Sequence, residues 1–461
     1  MKDQLKTQPI LEAALAGGGQ WSELFVEDST GTTIIMDDGK VEKIIGGVDR
    51  GAGLRLVYDS RTAYAHTNDQ TSEGLLPLAR NLASLAGGAA QITAPLERLE
   101  PGYQAQIAKP FENAETGRKV EMVRAAEAAA RALDPRIRQV KVTYADRLQE
   151  VQIASSLGLE VNDARPYIIL AVHCVAAEGD LVQTGYETAG GLAGLELLEE
   201  AGPEEVARIA ARRALLQLEA DPAPGGAMPV VLGASAGGTM IHEAVGHGLE
   251  ADHINENMSV YAGKLGQPVA SPLVSVADDS TLPGRRGSYG FDDEGVPSQN
   301  TLLIEKGVLK GYMQDRLSAL KMEAEPTGNG RRESYRFRPV PRMSNTLILP
   351  GEDDPQAVLK DTPAGLYVAK MGGGQVNTVN GDFVFEVAEG YLIQNGSIGR
   401  PVRGATLTGN GPKVLMEIDR VANDLGYALG TCGKDGQGSP VADAQPTLRI
   451  PSLVVGGMHQ G

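Results

Sequence analysis

The chain has 461 residues, 42% hydrophobic and 22% charged, a globular composition long enough for two or three domains. A net charge of −17 argues against direct binding to nucleic acid or to an anionic membrane surface. The two cysteines, Cys174 and Cys432, exclude a disulfide framework and point to a cytoplasmic location. No apolar run has the length of a membrane-spanning helix, and the Met1–Gln4 opening lacks a signal-peptide core.

In chain order, residues 22–27, 32–36 and 41–45 read as short strands, with a turn at Asp37-Asp38-Gly39. Residues 54–58 and 62–66 read as a hairpin around Asp59-Ser60. Leu75, Leu78, Leu82 and Leu85 recur at helical spacing, as do Val120, Val123, Ala126, Ala130 and Leu133. Strand patterns return at 140–144, 150–154, 159–161 and 168–175. A third helix is expected from Pro203 to about Glu219, its start marked by proline and by Glu204-Glu205. Residues 221–227, rich in proline and glycine, form the clearest linker. Beyond it the pattern changes to glycine turns and short strands, at 304–312, 346–349, 366–369, 383–387, 391–394 and 448–455. The expected fold class is α+β. An N-terminal mixed sheet-and-helix domain (1–220) serves access or dimerisation, and a largely antiparallel β domain (228–461) follows.

That second domain begins with the most informative segment. Three of the six histidines lie between residues 242 and 253, and His242, Glu243 and His247 form H-E-x-x-x-H. Zinc helices usually space their histidines four apart. Five steps of a regular α-helix rotate by about 140° and splay the two imidazoles. A π-type turn realigns them, and Gly246 and Gly248 are suited to such a distortion or to the helix end. An irregular metal-binding helix is therefore expected at 242–248. A hydrolytic zinc usually has three protein ligands. The candidates for the third are His253, Glu250, Asp252 and Cys432, the last framed by glycines 185 residues downstream of His247. Glu243, beside His242, is the natural general base.

Several segments together resemble the TldD/PmbA family of bacterial metalloproteases, and its TldD-like branch in particular. They are His-Glu-Ala-Val-Gly-His-Gly-Leu-Glu at 242–250, Asp-Asp-Glu-Gly at 292–295 and Gly-Tyr-Met-Gln-Asp at 311–315. Pro-Thr-Gly-Asn-Gly-Arg-Arg-Glu-Ser-Tyr at 326–335, Gly-Gly-Gly-Gln-Val at 372–376, Arg-Gly-Ala-Thr-Leu at 403–407 and Cys-Gly-Lys-Asp-Gly-Gln at 432–437 complete the set. The resemblance implies a zinc-dependent peptidase with Zn2+ held by His242, His247 and Cys432, and with Glu243 as the catalytic glutamate. It also implies unfolded or small peptides as substrates. The assembly it implies is a homodimer or a heterodimer with a PmbA-like (TldE) paralogue.

Two further segments are candidates for substrate binding. Gly373, Gly374 and Gln375 could present a strand edge to a peptide backbone, or simply form a turn. Arg331 and Arg332, with Arg336, Arg338 and Arg342, could clamp a substrate carboxylate or stabilise the oxyanion of a tetrahedral intermediate, or could pair with Asp292, Asp293 and Glu294. The rival functions are a metal amidase and a non-enzymatic scaffold subunit modulating a toxin or topoisomerase. Cys174 reads as core, and His66, His173 and His459 have no motif around them.

Overall fold

The computed structural model describes residues 5–90 and 93–457. Met1–Gln4 and His459 lie outside the described residues.

Seven strands form the N-terminal sheet, and four of them are far longer than the sequence pattern suggests. Trp21–Asp37, Lys40–Tyr58, Ile137–Ser155 and Leu159–Glu178 pair antiparallel over most of their length. The short runs expected at 22–27 and 32–36 are one strand, as are those at 140–144 and 150–154. The polar residues between them keep extended backbone because a neighbouring strand satisfies their amide groups on either side. Turns at Asp38-Gly39 and Asp59-Ser60 have positive φ at both positions, matching the twist of the strands they join. Leu181–Leu192 is an added edge strand with no expectation behind it.

Helices cover this sheet through small or branched residues at helical spacing. Val123, Ala126 and Ala130 of the helix Thr116–Arg131 are fully buried with Val140, Val142, Ile168 and Leu170. The helix Pro203–Glu219 adds Ala207, Ala210, Ala211 and Ala214 to the same core. Ser72–Ala83 buries Leu75 and Leu82 elsewhere on the sheet, whereas Leu85 falls beyond the helix end and is exposed.

After the linker, five strands pair in a closed circuit. They are Gly226–Leu232, Ala364–Val376, Asp382–Gln394, Thr406–Asn410 and Leu448–Gly456. A second sheet of six strands carries the hairpin Gly426–Lys434 and Gln437–Gln445 at one edge. Most pairings are antiparallel, with short parallel ones such as 366–368 with 230–232 and 345–347 with 442–444. The segment 239–249 packs into the core of this region, where Ile241, Ala244, Val245 and Leu249 meet Leu366, Val368, Phe383 and Phe385.

The two halves meet through buried charge. Arg55 bonds Glu294 and lies 3.8 Å from Glu23 and 3.9 Å from Asp315. Arg332 bonds Glu23, and Arg165 joins Asp163 at 2.9 Å to Asp293 at 2.6 Å. Three guanidinium groups thus share a nearly dry space with Glu23, Asp163, Asp292, Asp293, Glu294 and Asp315. Carboxyls outnumber cations, so full ionisation is costly there. Burial raises Glu23 despite Arg332 and Arg55, while burial and the Glu294 charge hold Asp292 well above the carboxylate range. The same two causes push Asp315 up to about 6.

Asp315 also caps the helix Arg316–Met322, accepting from the Ser318 amide, a role asparagine can fill. Its raised folded value means that its contribution is intact below about 4 and is lost as pH rises through about 6. Asp315→Asn is expected to stabilise the protein at pH 8, by on the order of 1–3 kcal/mol, and to change little at pH 4. Thermal unfolding scans at both pH values check this, and equal shifts at the two would show that ionisation is not the cause.

Candidate metal centre

The five-residue histidine spacing is accommodated by a π-turn. Residues 242–246 form it, closed by the His247 amide donating to the His242 carbonyl. A 3-10 turn at 247–249 follows, and Glu250 leaves the helix in extended conformation. Gly246 has ordinary helical dihedrals, so its role is space: a Cβ there would collide with the sulfur of Met343. The π-turn brings the two imidazoles together, with ring centroids 5.1 Å apart and planes at 88°.

Cys432 reaches them from the edge hairpin. Its strand turns back through Asp435-Gly436, both at positive φ, and Cys432 lies opposite Ser439. The Sγ is 3.5 Å from His247 Nε2, and one ligand atom from each of His242, His247 and Cys432 lies within 4.8 Å of the others. Arg342, fully buried, donates to the Cys432 carbonyl and fixes this strand.

The other candidates for a third ligand are engaged differently. Glu250 accepts from His247 Nδ1 at 3.0 Å, which leaves Nε2 directed at Cys432. Lys434 holds Glu250 at 3.1 Å and Asp252 at 2.7 Å. His253 Nδ1 donates to the His247 carbonyl at 3.0 Å. Lys434 follows Cys432 by two residues, so strand alternation puts both side chains on one face. That signal was available in the sequence.

Asp443 had no such signal. It comes from the returning strand of the hairpin, accepts from the Gly238 amide at 3.2 Å, and places its other oxygen 4.0 Å from His242 Nδ1. That nitrogen is buried without a hydrogen-bond partner. Burial and the nearby Glu243 push Asp443 up to about 6, against the pull of His242. Glu243 itself is half-buried and makes no hydrogen bond or ion pair among the described residues.

Gly373, Gly374 and Gln375 are exposed at the end of the strand Ala364–Val376. One side of that segment pairs with residues 383–385, and the partner on its other side, 230–232, pairs only with 366–368. The segment is therefore an open edge rather than a turn. Arg331 and Arg332 are buried with their guanidinium groups occupied. Arg331 donates to the Met343 and Pro440 carbonyls, and Arg332 to Glu23 and the Asp293 carbonyl. Neither is open as a substrate clamp, and Arg332 follows the pairing alternative. Arg336 and Arg338 pair at the surface with Asp49 and Asp435.

Burial opposes ionisation of the Cys432 thiol, but hydrogen bonds and positive charge from His242 and His247 outweigh it, bringing the thiol down to about 5. Both imidazoles move up in return, His247 well above its usual range because Glu250 adds to the pull of Cys432. The thiolate form thus persists down to about pH 5, while burial pushes Cys174 up to about 12. In metal-free protein, alkylation of Cys432 by iodoacetamide should show its inflection near pH 5, with Cys174 unmodified. Mass mapping across pH 4–9 checks it, and an inflection at 8–9 would mean that the imidazoles do not ionise the thiol.

Three family models match the chain: PmbA/TldA metallopeptidase domain 1 over residues 22–86, the central domain over 109–218, and the C-terminal domain over 225–457. A metalloprotease TldD homolog of Haemophilus influenzae is 37% identical over 449 residues, covering 95% of this chain and 93% of that protein. A metalloprotease of Methanocaldococcus jannaschii is 34% identical, covering 97% and 99%. Among solved structures, a Thermotoga maritima protein described as a candidate modulator of a DNA gyrase shares the fold. Its TM-score is 0.80 at 23% identity, over 95% and 96% of the two chains. TldE from Thermococcus kodakarensis does so with a TM-score of 0.76 at 19% identity, over 98% and 100%. On this likeness, and with a His-His-Cys cluster at its centre, the chain belongs to the PmbA/TldD metallopeptidase family and is a metallopeptidase.

Proposed function

We propose that the chain is a zinc-dependent peptidase of unfolded or small peptides, with Zn2+ held by His242, His247 and Cys432 and Glu243 as general base. The observation that carries this reading is the convergence of two imidazoles and a depressed-pKa thiol beside a carboxylate with no partner of its own. Two nitrogens and a sulfur suit zinc, and three protein donors match the count of a catalytic rather than a closed structural site. His247 is already oriented through Nδ1 by Glu250, as metal-bound histidines usually are.

Zinc bound there would polarise the peptide carbonyl and lower the pKa of water to about 7. Glu243 then takes the proton from the attacking water and delivers it to the leaving amine. The open edge at Gly373–Gln375 supports backbone-directed binding, since an added strand is held by main-chain hydrogen bonds whatever its sequence. Its strand packs in the same core as the π-turn. The active assembly in this reading is a homodimer or a heterodimer with a PmbA-like (TldE) paralogue. No helix among the described residues is long and apolar enough to cross a membrane, which is compatible with a cytoplasmic enzyme.

Glu243→Gln should retain metal by elemental analysis while kcat/KM on a model peptide falls about 10²- to 10⁴-fold. Cys432→Ser should lower the bound metal, and a chelator should stop wild-type cleavage. Cleavage by Glu243→Gln at the wild-type rate would remove that residue from its role, and unchanged metal in Cys432→Ser would remove the sulfur from the ligand set.

A further inference from the structure

A cleft of about 480 Å³ lies between the N-terminal sheet and the C-terminal domain, lined among others by Thr33, Arg147, Tyr167, Arg286, Ser334 and Pro440. Arg286 is its unusual member. The loop that carries it is tied to both halves of the protein. The Gly284 amide donates to Tyr103 Oη at 3.0 Å, the Gly284 carbonyl accepts from Leu192, and the Gly287 amide donates to Asn345. The Arg286 guanidinium lies over the Tyr167 ring, 5.8 Å from its centroid, and its Nε donates to the Gly430 carbonyl at 3.3 Å. No carboxylate among the described residues pairs with it.

The acids that line the cleft are committed elsewhere. Asp146 holds Lys119 and accepts from Tyr144 Oη at 2.5 Å, Asp49 pairs with Arg336, and Glu333 accepts from the Gly438 amide. Arg147 is neutralised by Glu27 at 2.5 Å. Arg331, close enough to repel Arg286, is bonded only to carbonyl oxygens. Burial, helped by the charge of Arg331 and less by that of Arg147, outweighs the opposing pull of Tyr167 and Tyr186 and holds the Arg286 pKa below the usual arginine range. A half-buried guanidinium facing a cavity without a counterion, in a protein of charge −17, is a receptor for an anion.

Its position limits which anion. Gly430 precedes Cys432 by two residues on the same strand, a distance of about 7 Å in extended chain. Pro440, at the cleft wall, pairs with Thr431 and shares its face of the hairpin, opposite to the face that carries the Cys432 side chain. We propose that the Arg286 cleft, across the hairpin from the Cys432 sulfur, is a subsite for a peptide carboxylate, either the free C-terminus or an acidic side chain of the bound chain. Its role in catalysis rests on the peptidase reading, whereas carboxylate binding as such does not.

The test uses three probes: acetyl-Ala-Ala-Ala as free acid, the same peptide as C-terminal amide, and acetyl-Ala-Ala-Glu amide. Titration calorimetry is run on the full-length wild-type protein, on Glu243→Gln to remove turnover, and on Arg286→Gln and Arg286→Lys. The expected result is that at least one carboxylate probe binds about tenfold or more tighter than the neutral amide. Arg286→Gln should abolish that preference and Arg286→Lys should restore part of it. The free acid and the glutamyl amide separate the two sources of carboxylate. Equal binding of all three probes by wild-type protein overturns the proposal whatever the variants do, and so does an acid preference that survives in Arg286→Gln. Cleavage without acid preference leaves the peptidase reading standing and sinks this one. Acid preference without cleavage does the reverse.

Discussion

The site depends on one backbone hydrogen bond, from the His247 amide to the His242 carbonyl. In an α-helix that amide would bond one residue later, and the imidazoles would point about 140° apart. The extra residue in the turn brings both rings to Cys432. A π-turn is less favourable than α-helix in isolation, so the surrounding packing must hold it. Met343 packs against the turn where Gly246 leaves no side chain, and Ala244 and Val245 fill the core on either side. The 3-10 turn that follows ends where the Leu249 carbonyl accepts from the Met313 amide and the Met313 carbonyl accepts from the Ala251 amide. Irregular local geometry is thus maintained by ordinary tertiary packing.

The charged interior between the halves is a second constraint. Arg55 and Arg165 are each fixed by acids from more than one part of the chain, and Arg332 by Glu23 and the Asp293 carbonyl. Such a lattice adds little net stability compared with an apolar core, but breaking it piecemeal leaves uncompensated charge. Its effect is registry: Glu23 and Arg55 come from the first sheet, and Asp293, Glu294 and Arg332 from loops of the second half. The same loop region places Arg286 over the cleft. That loop is tied across the two halves by contacts of its own, to Tyr103, Leu192 and Asn345.

Much of this was legible from residue patterns, and the failures have physical causes. The helix starting at Pro203 was readable because proline, paired glutamates and an alanine face all agree. The π-turn was readable because the histidine spacing is incompatible with a straight helix if both rings are to meet. At residues 28–31 and 145–149 the polar side chains suggest breaks, and the pairing strands override them. The hairpin strand that holds Asp443 was not anticipated, since its Gly-Ser-Pro-Val-Ala-Asp pattern shows no apolar alternation. Arg286 belongs to no motif; its character comes from the engagement of the cleft's acids with other partners, which only the folded arrangement reveals. The arginines near 331–342 drew attention because they cluster in sequence, yet in space they are dispersed among backbone carbonyls and acids.

The 185-residue interval between His247 and Cys432 has a consequence for biosynthesis. During translation the two imidazoles emerge long before the thiol that meets them, and the intervening stretch includes most of the strands that hold the π-turn. A nascent chain therefore lacks the complete His-His-Cys cluster until the hairpin that carries Cys432 has been made and docked. The cluster is thus assembled by long-range tertiary structure and by no local segment alone.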